Sequence, residues 1–137
     1  MTRLVDMGVE PFLLASTLEA VLAQRLLRRI CPSCRVAYPP SEPLLRQLDI
    51  APGVLAGRQF YRGQGCPECH QTGFRGRLGL FEFLPMTNAL RELTGKGGSL
   101  VDLKRQAVAE GLVTLRDAGF AALVAGDTSV EEVMKYT

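Results

Sequence analysis

The chain has 137 residues, an apolar fraction of 47% and a formal net charge of +2 from 16 basic and 14 acidic side chains. That length suits one domain or two small ones, and the near-neutral charge gives no sign of a nucleic-acid binder. The apolar runs are too short to span a bilayer, so no direct membrane insertion is expected, and the first residues carry no signal-peptide core.

Met1 to Gly8 reads as the last turns of an element, with Gly8 as a C-cap. A compact domain seldom begins mid-element, so a partial chain is expected. Gly8-Val9-Glu10-Pro11 is a connector, and Phe12 to Ala15 is either a short buried strand or a hydrophobic lead into the next helix. A helix is expected over about 16–30. Ser16 and Glu19 have capping-box spacing, and Leu18, Val21, Leu22, Leu26 and Ile30 recur at three and four residues. It runs directly into Cys31.

All four cysteines lie in two matched turns, Cys31-Pro32-Ser33-Cys34 and Cys66-Pro67-Glu68-Cys69, with 31 residues between them. Two residues inside each pair lets both thiolates of a turn face one ion, and two such turns complete a tetrahedral set. Disulfides and iron or redox chemistry are the competing readings. Two matched pairs without a secretory signal point to structural zinc held by Cys31, Cys34, Cys66 and Cys69. Four thiolates fill the coordination sphere and leave no position for a substrate or water.

Between the turns, Tyr38-Pro39-Pro40 breaks regular structure and 43–48 is expected to form a short helix capped by Ser41. Ala51-Pro52-Gly53 is a turn, and Gly57, Gly63 and Gly65 are expected to keep the chain loose around a small strand at Phe60-Tyr61. After Cys69, residues 78–84 read as a strand apolar on both faces and so buried. Glu82 within it needs a partner, through an ion pair or a mechanistic role. Short helices follow over 88–94, over 100–110 behind a Ser99 cap, over 115–125, and from a Thr128-x-x-Glu131 start. The expected inner face of the second is Leu100, Leu103, Ala107 and Val108.

Gly95-Lys96-Gly97-Gly98 is not a phosphate-loop. Leu90 stands where that motif needs glycine, and Gly97 where it needs serine or threonine. His70, the sole histidine, adjoins Cys69 but is surplus to a full ligand set. Arg25, Arg28, Arg29 and Arg35 precede or follow the first turn, and Arg58, Arg62, Arg75 and Arg77 flank the second. They form either a solvated face beside an anionic metal centre or a contact for phosphates or an acidic partner. No aromatic stripe for stacking bases accompanies them, so nucleic acid is not expected as a partner.

With these residues in place, the chain is similar to the C-terminal part of a type II secretion or type IV pilus assembly ATPase. The resemblance lies in Gly8-Val9-Glu10-Pro11-Phe12-Leu13, Leu22-Ala23-Gln24-Arg25-Leu26, the tetracysteine signature, Gly73-Phe74-Arg75-Gly76-Arg77-Leu78-Gly79-Leu80-Phe81-Glu82, Gly111-Leu112-Val113-Thr114-Leu115 and Gly126-Asp127-Thr128-Ser129-Val130-Glu131-Glu132-Val133. It implies an α/β fold: the tail of a RecA-like core over 1–30, a tetracysteine zinc subdomain over 31–77, and a returning core strand with a C-terminal helical bundle over 78–137. It implies a cytoplasmic hexameric ATPase whose subunits work against an inner-membrane secretion or pilus platform, with ATP and Mg2+ as cofactors of the full-length protein. Gln24 and Arg25 match a pair on a core helix and are the candidates for nucleotide contact. The phosphate-loop, the Walker B strand and the histidine and aspartate boxes of that family do not occur in these residues, so no ATP hydrolysis is expected of them alone. The alternative is a stand-alone zinc-stabilised module for protein binding.

Overall fold

The computed structural model describes residues 2–47 and 57–137. In chain order the elements are α1 (Thr2–Asp6), α2 (Pro11–Thr17), β1 (Ala20–Ile30), β2 (Arg35–Tyr38), α3 (Glu42–Gln47), β3 (Phe60–Gly63), β4 (Phe74–Pro85), α4 (Asn88–Gly95), α5 (Leu100–Ala109), α6 (Leu115–Ala125) and α7 (Val130–Tyr136). Single 3-10 turns at Pro32–Cys34 and Pro67–Cys69 carry the cysteines. β1 pairs with β4, and β2 pairs antiparallel with β3 in a register running from Arg35 opposite Gly63 to Tyr38 opposite Phe60. The expected turn at 51–53 and the end of the expected helix at Leu48 lie outside the described residues.

The chain packs as two units, one built from residues up to Ala23 with Glu82–Thr114, the other from Gln24–Phe81 with Leu115–Thr137. In the first, Pro11 opens α2, where its missing N–H costs nothing. The segment 12–15 is therefore neither a strand nor a lead into a following helix: it lies inside α2, which ends at Thr17 before β1. Leu14 is buried, and Arg91 of α4 donates to the Ala15 carbonyl at 2.8 Å and pairs with Glu19 at 3.1 Å. Met86, Leu90 and Ala107 form the core, flanked by Leu18, Leu84, Leu103 and Leu112. Thr87 and Ser99 cap α4 and α5 through their side-chain oxygens. Leu100 and Val108 are not on the inner face expected of α5; they are 72% and 50% exposed. Leu100 is the first residue of the helix, and Val108 lies about 100° round the axis from Ala107.

In the second unit, Leu27, Phe60, Leu80, Leu123, Val130 and Val133 make the core, with Tyr38, Leu44, Leu78 and Phe120 against it. α6 approaches α7 at Gly119, where an added Cβ would lie 3.0 Å from Val133.

The expected helix over 16–30 does not form: residues 20–30 are strand β1, so Gln24 and Arg25 sit on a strand. Ser16 is inside α2, where its hydroxyl donates to the Leu13 carbonyl, and Glu19 is taken by Arg91, so no capping box exists. The three- and four-residue spacing omitted Leu27, which is wholly buried, while Leu22 and Leu26 are largely exposed. Leucine, alanine, glutamine and arginine favour helices only by tenths of a kcal/mol each (~0.2–0.5 relative to one another), and a long ladder with the twelve-residue β4 outweighs that. β4 is also less buried than expected. Leu80 is inside, but Phe81 and Phe83 are 51% and 58% exposed. The last helix begins one residue later than its expected cap, because Ser129, not Thr128, accepts from the Glu132 N–H.

Candidate metal centre

Each cysteine pair is shaped by a proline that opens a 3-10 turn. In the first, the Cys34 N–H donates to the Cys31 carbonyl at 3.3 Å; in the second, Cys69 donates to Cys66 at 3.2 Å and Gln71 to Cys66 at 2.9 Å. The chain leaves the second turn through left-handed backbone at His70 (φ 52°) and Gln71 (φ 63°), an unusual pair for residues with a Cβ. Gly63, expected to loosen the chain, instead crosses Gly73 so closely that a Cβ on either would strike the other's backbone. The Cys31 N–H donates to the Gly73 carbonyl at 3.0 Å, and the Gln64 N–H to the Cys34 carbonyl at 3.0 Å. The two turns are thus laced to each other through backbone.

The four sulfurs lie within 4.8 Å of one another. Cys31 to Cys66 is 3.8 Å, Cys34 to Cys69 3.9 Å and Cys66 to Cys69 3.7 Å. A tetrahedron with zinc–sulfur bonds of about 2.3 Å has edges of about 3.8 Å. A disulfide needs sulfurs about 2.05 Å apart, and all four cysteines are free. The spacing therefore fits a four-thiolate ion and excludes the disulfide reading. Cys31 and Cys69 are buried, and Cys34 and Cys66 half-buried.

Burial pushes the Cys34 thiol up to about 11, against an N–H bond from Gly65, with the neighbouring cysteines adding to the rise. Burial also raises Cys66. Cys69 runs the other way: burial pushes it up, but N–H donors from Cys66 and Gly73, each 3.2 Å from its sulfur, bring it down to about 6. A cluster whose crowded thiols resist ionisation together, yet which carries N–H donors aimed at sulfur, has the electrostatics of a site completed by a cation. Zinc supplies that charge when bound.

Outside the sulfurs, Glu68 of the second turn accepts from Ser33 of the first at 2.7 Å and from Arg75 at 2.9 Å. His70 is exposed and lies outside the ligand set. Gln24 and Arg25 are exposed on β1, where Arg25 donates to the Gln24 carbonyl at 3.1 Å. Six residues of strand put Arg25 about 20 Å from Cys31 along β1. Most of the arginines have partners within the chain. Arg28 forks onto Glu132, Arg29 pairs with Asp127 at 2.8 Å, and Arg35 and Arg62 lie over the rings of Tyr61 and Tyr38. Glu132, Asp127 and Thr128 were not among the residues singled out from sequence as site residues. Their partners are about 100 residues away, and no local spacing reports such a pairing.

Four thiolates with no open coordination position, set on paired turns and tied down by backbone, define a structural metal centre within a mixed α/β chain whose C-terminal third is helical. Residues 1–135 match the model of the family described as "Type II/IV secretion system protein", and the chain belongs to that family. It is 40% identical over 98% of its length to the type IV pilus assembly ATPase TfpB of Acinetobacter baylyi, covering 23% of that protein. It is 38% identical over 99% to the type IV pilus assembly ATPase PilB of Thermus thermophilus, covering 15%, and 43% identical over 99% to the type II secretion system protein E of Klebsiella pneumoniae, covering 26%. The chain thus spans about a quarter or less of the length of these relatives. Among the described residues no helix is long and apolar enough to cross a membrane.

Proposed function

We propose that these 137 residues are the C-terminal portion of a cytoplasmic, hexameric ATPase that powers assembly of a type II secretion pseudopilus or a type IV pilus. In this reading residues 1–30 are the tail of a RecA-like core, residues 31–77 a zinc subdomain held by Cys31, Cys34, Cys66 and Cys69, and residues 78–137 the return to the core and its closing helices. ATP and Mg2+ act in the full-length protein, at nucleotide motifs these residues do not contain. The partners are the other subunits of the hexamer and the inner-membrane platform, which would hold the motor at the membrane periphery. Gln24 and Arg25, exposed on β1, are the candidates for nucleotide contact in this reading.

The observation that carries the reading is identity of about 40%, maintained from end to end with relatives of both kinds. The large exposure of Phe81 and Phe83 on β4 supports it as well, since apolar strand residues of this size are usually covered in a complete fold. The test is a chimera in which this chain replaces the matching segment of the type II secretion system protein E of Pseudomonas aeruginosa, to which it is 42% identical. Secretion should be restored at least in part. A chimera that folds, hexamerises and still supports no secretion would overturn the proposal and favour a module with a separate role.

A further inference from the structure

Glu132 is buried, with its side chain 2% exposed, and the metal chemistry makes no use of it. Three of the four buried polar residues of the chain's described part, Thr128, Ser129 and Glu132, lie in the turn that opens α7. One Glu132 oxygen accepts from the Arg28 backbone N–H at 2.9 Å, and the other from Arg28 Nε at 2.9 Å and Nη2 at 2.7 Å. Thr128 Oγ1 donates to the Arg28 carbonyl at 2.9 Å, and the Ile30 N–H donates to the Asp127 carbonyl at 2.8 Å. Arg29 pairs with the Asp127 side chain. The residues immediately before Cys31 are therefore bonded to 127–132 by backbone and side chain alike. From its other face the Arg28 guanidinium lies over the Phe74 ring, 4.1 Å from the centroid. Phe74 follows Gly73, which bonds both Cys31 and Cys69.

We infer that Glu132, acting through Arg28, is a positioning residue for the metal centre, so that seating of α7 and metal binding are thermodynamically coupled. The coupling has a physical path. The first ligand of the set is fixed at its N-terminal side by residues 127–132 and the last by Gly73, and Arg28 joins those two supports in one side chain. Outer residues that orient metal ligands change affinity without touching the ion, and coupling between two sites is reciprocal. The metal should then also stabilise α7. This inference rests on the zinc reading of the four thiols.

The test uses the whole 137-residue chain with Co2+ as the probe, followed by its thiolate charge-transfer absorption and by competition with a chelator. Glu132→Gln, which keeps the shape and removes the charge, should bind Co2+ about 10-fold more weakly than the unaltered chain. Thr128→Val should weaken it in the same direction. In the unaltered chain, removing the metal should speed amide exchange across 130–136 while the amides of α5, in the other unit, keep their rates. Equal Co2+ affinity in Glu132→Gln and the unaltered chain, or exchange in α7 indifferent to metal, would overturn the coupling. Should Glu132→Gln fail to fold, Thr128→Val and the exchange measurement decide. An unaltered chain that shows no thiolate–Co2+ absorption sinks the zinc reading itself, an outcome distinct from either of these.

Discussion

Replacing Gly73 with alanine tests whether the metal centre depends on the close crossing of two backbones. Gly73 has φ +76°, and a Cβ there would sit 2.6 Å from the Gly63 carbonyl oxygen and 3.0 Å from its carbon. Gly76 offers the matched control: φ is +79°, and an added Cβ would meet nothing within 4 Å. Left-handed backbone alone costs an alanine about 1–2 kcal/mol, and that is the whole loss expected of Gly76→Ala. Gly73→Ala adds the overlap with Gly63, which no side-chain rotation relieves, at about 1–3 kcal/mol. It also disturbs the N–H to Cys69 Sγ and the carbonyl that accepts from Cys31. Gly73→Ala should thus lose about 2–5 kcal/mol in total. With a urea dependence of about 2 kcal/mol per molar, its unfolding midpoint falls by about 1–2.5 M, against about 0.5–1 M for Gly76→Ala. Zinc transfer to a chelator should quicken in Gly73→Ala only. Equal losses of stability and equal metal release in the two variants would show that the crossing is slack and that positive φ is all that matters at both positions.

Cys66→Ser should drop zinc content well below one equivalent and destabilise residues 24–81 with 115–137; unchanged stoichiometry by elemental analysis contradicts the four-thiolate assignment. Tyr38→Phe should stabilise the chain by about 1 kcal/mol in urea unfolding, because the Tyr38 hydroxyl is buried with no hydrogen-bond partner among the described residues, and a loss of stability would reveal a partner. Burial pushes the Glu132 carboxyl up, but Arg28, through its side chain and its N–H, brings it below its usual 4.5, so the folded state favours the ionised form. Its contribution is complete above pH 4.5 and disappears as pH falls through the lower folded value. The advantage of the unaltered chain over Glu132→Gln should therefore be about 2 kcal/mol from pH 7 to 5, less than a fully buried pair because Arg28 is half exposed, and should shrink below pH 4.5. A difference that persists unchanged to pH 3 would place the stabilisation in packing and not in charge.

The metal centre was legible because its information is local and chemical. Two cysteines two residues apart with proline between them shape a turn wherever the chain puts it, and the pairing of two such turns follows from the valence of the ion. The Ser99 cap of α5 and the glycine stops after α5 and α6 were readable for the same reason, since each is settled within four residues. β1 was misread because its information is not local. Leu22 and Leu26 match a helical stripe by spacing, yet neither is buried, and what holds 20–30 extended is β4, more than 40 residues further on.

The same distance hid the clasp on Arg28. Seen from sequence, Arg25, Arg28 and Arg29 are one basic run beside an anionic site, and a shared role for them is the natural inference. The fold separates them: Arg25 stays at the surface, Arg29 makes an exposed pair, and Arg28 alone meets a buried carboxylate. A carboxylate with its side chain 2% exposed cannot remain ionised without such a fork, and a guanidinium held on an aromatic ring cannot turn to solvent without leaving that carboxylate uncompensated. The desolvation cost falls on Glu132, and Arg28 offsets it with its guanidinium and its backbone N–H together, which is why one arginine of the run, and not its charge as a whole, ties the strand before Cys31 to the last helix of the chain.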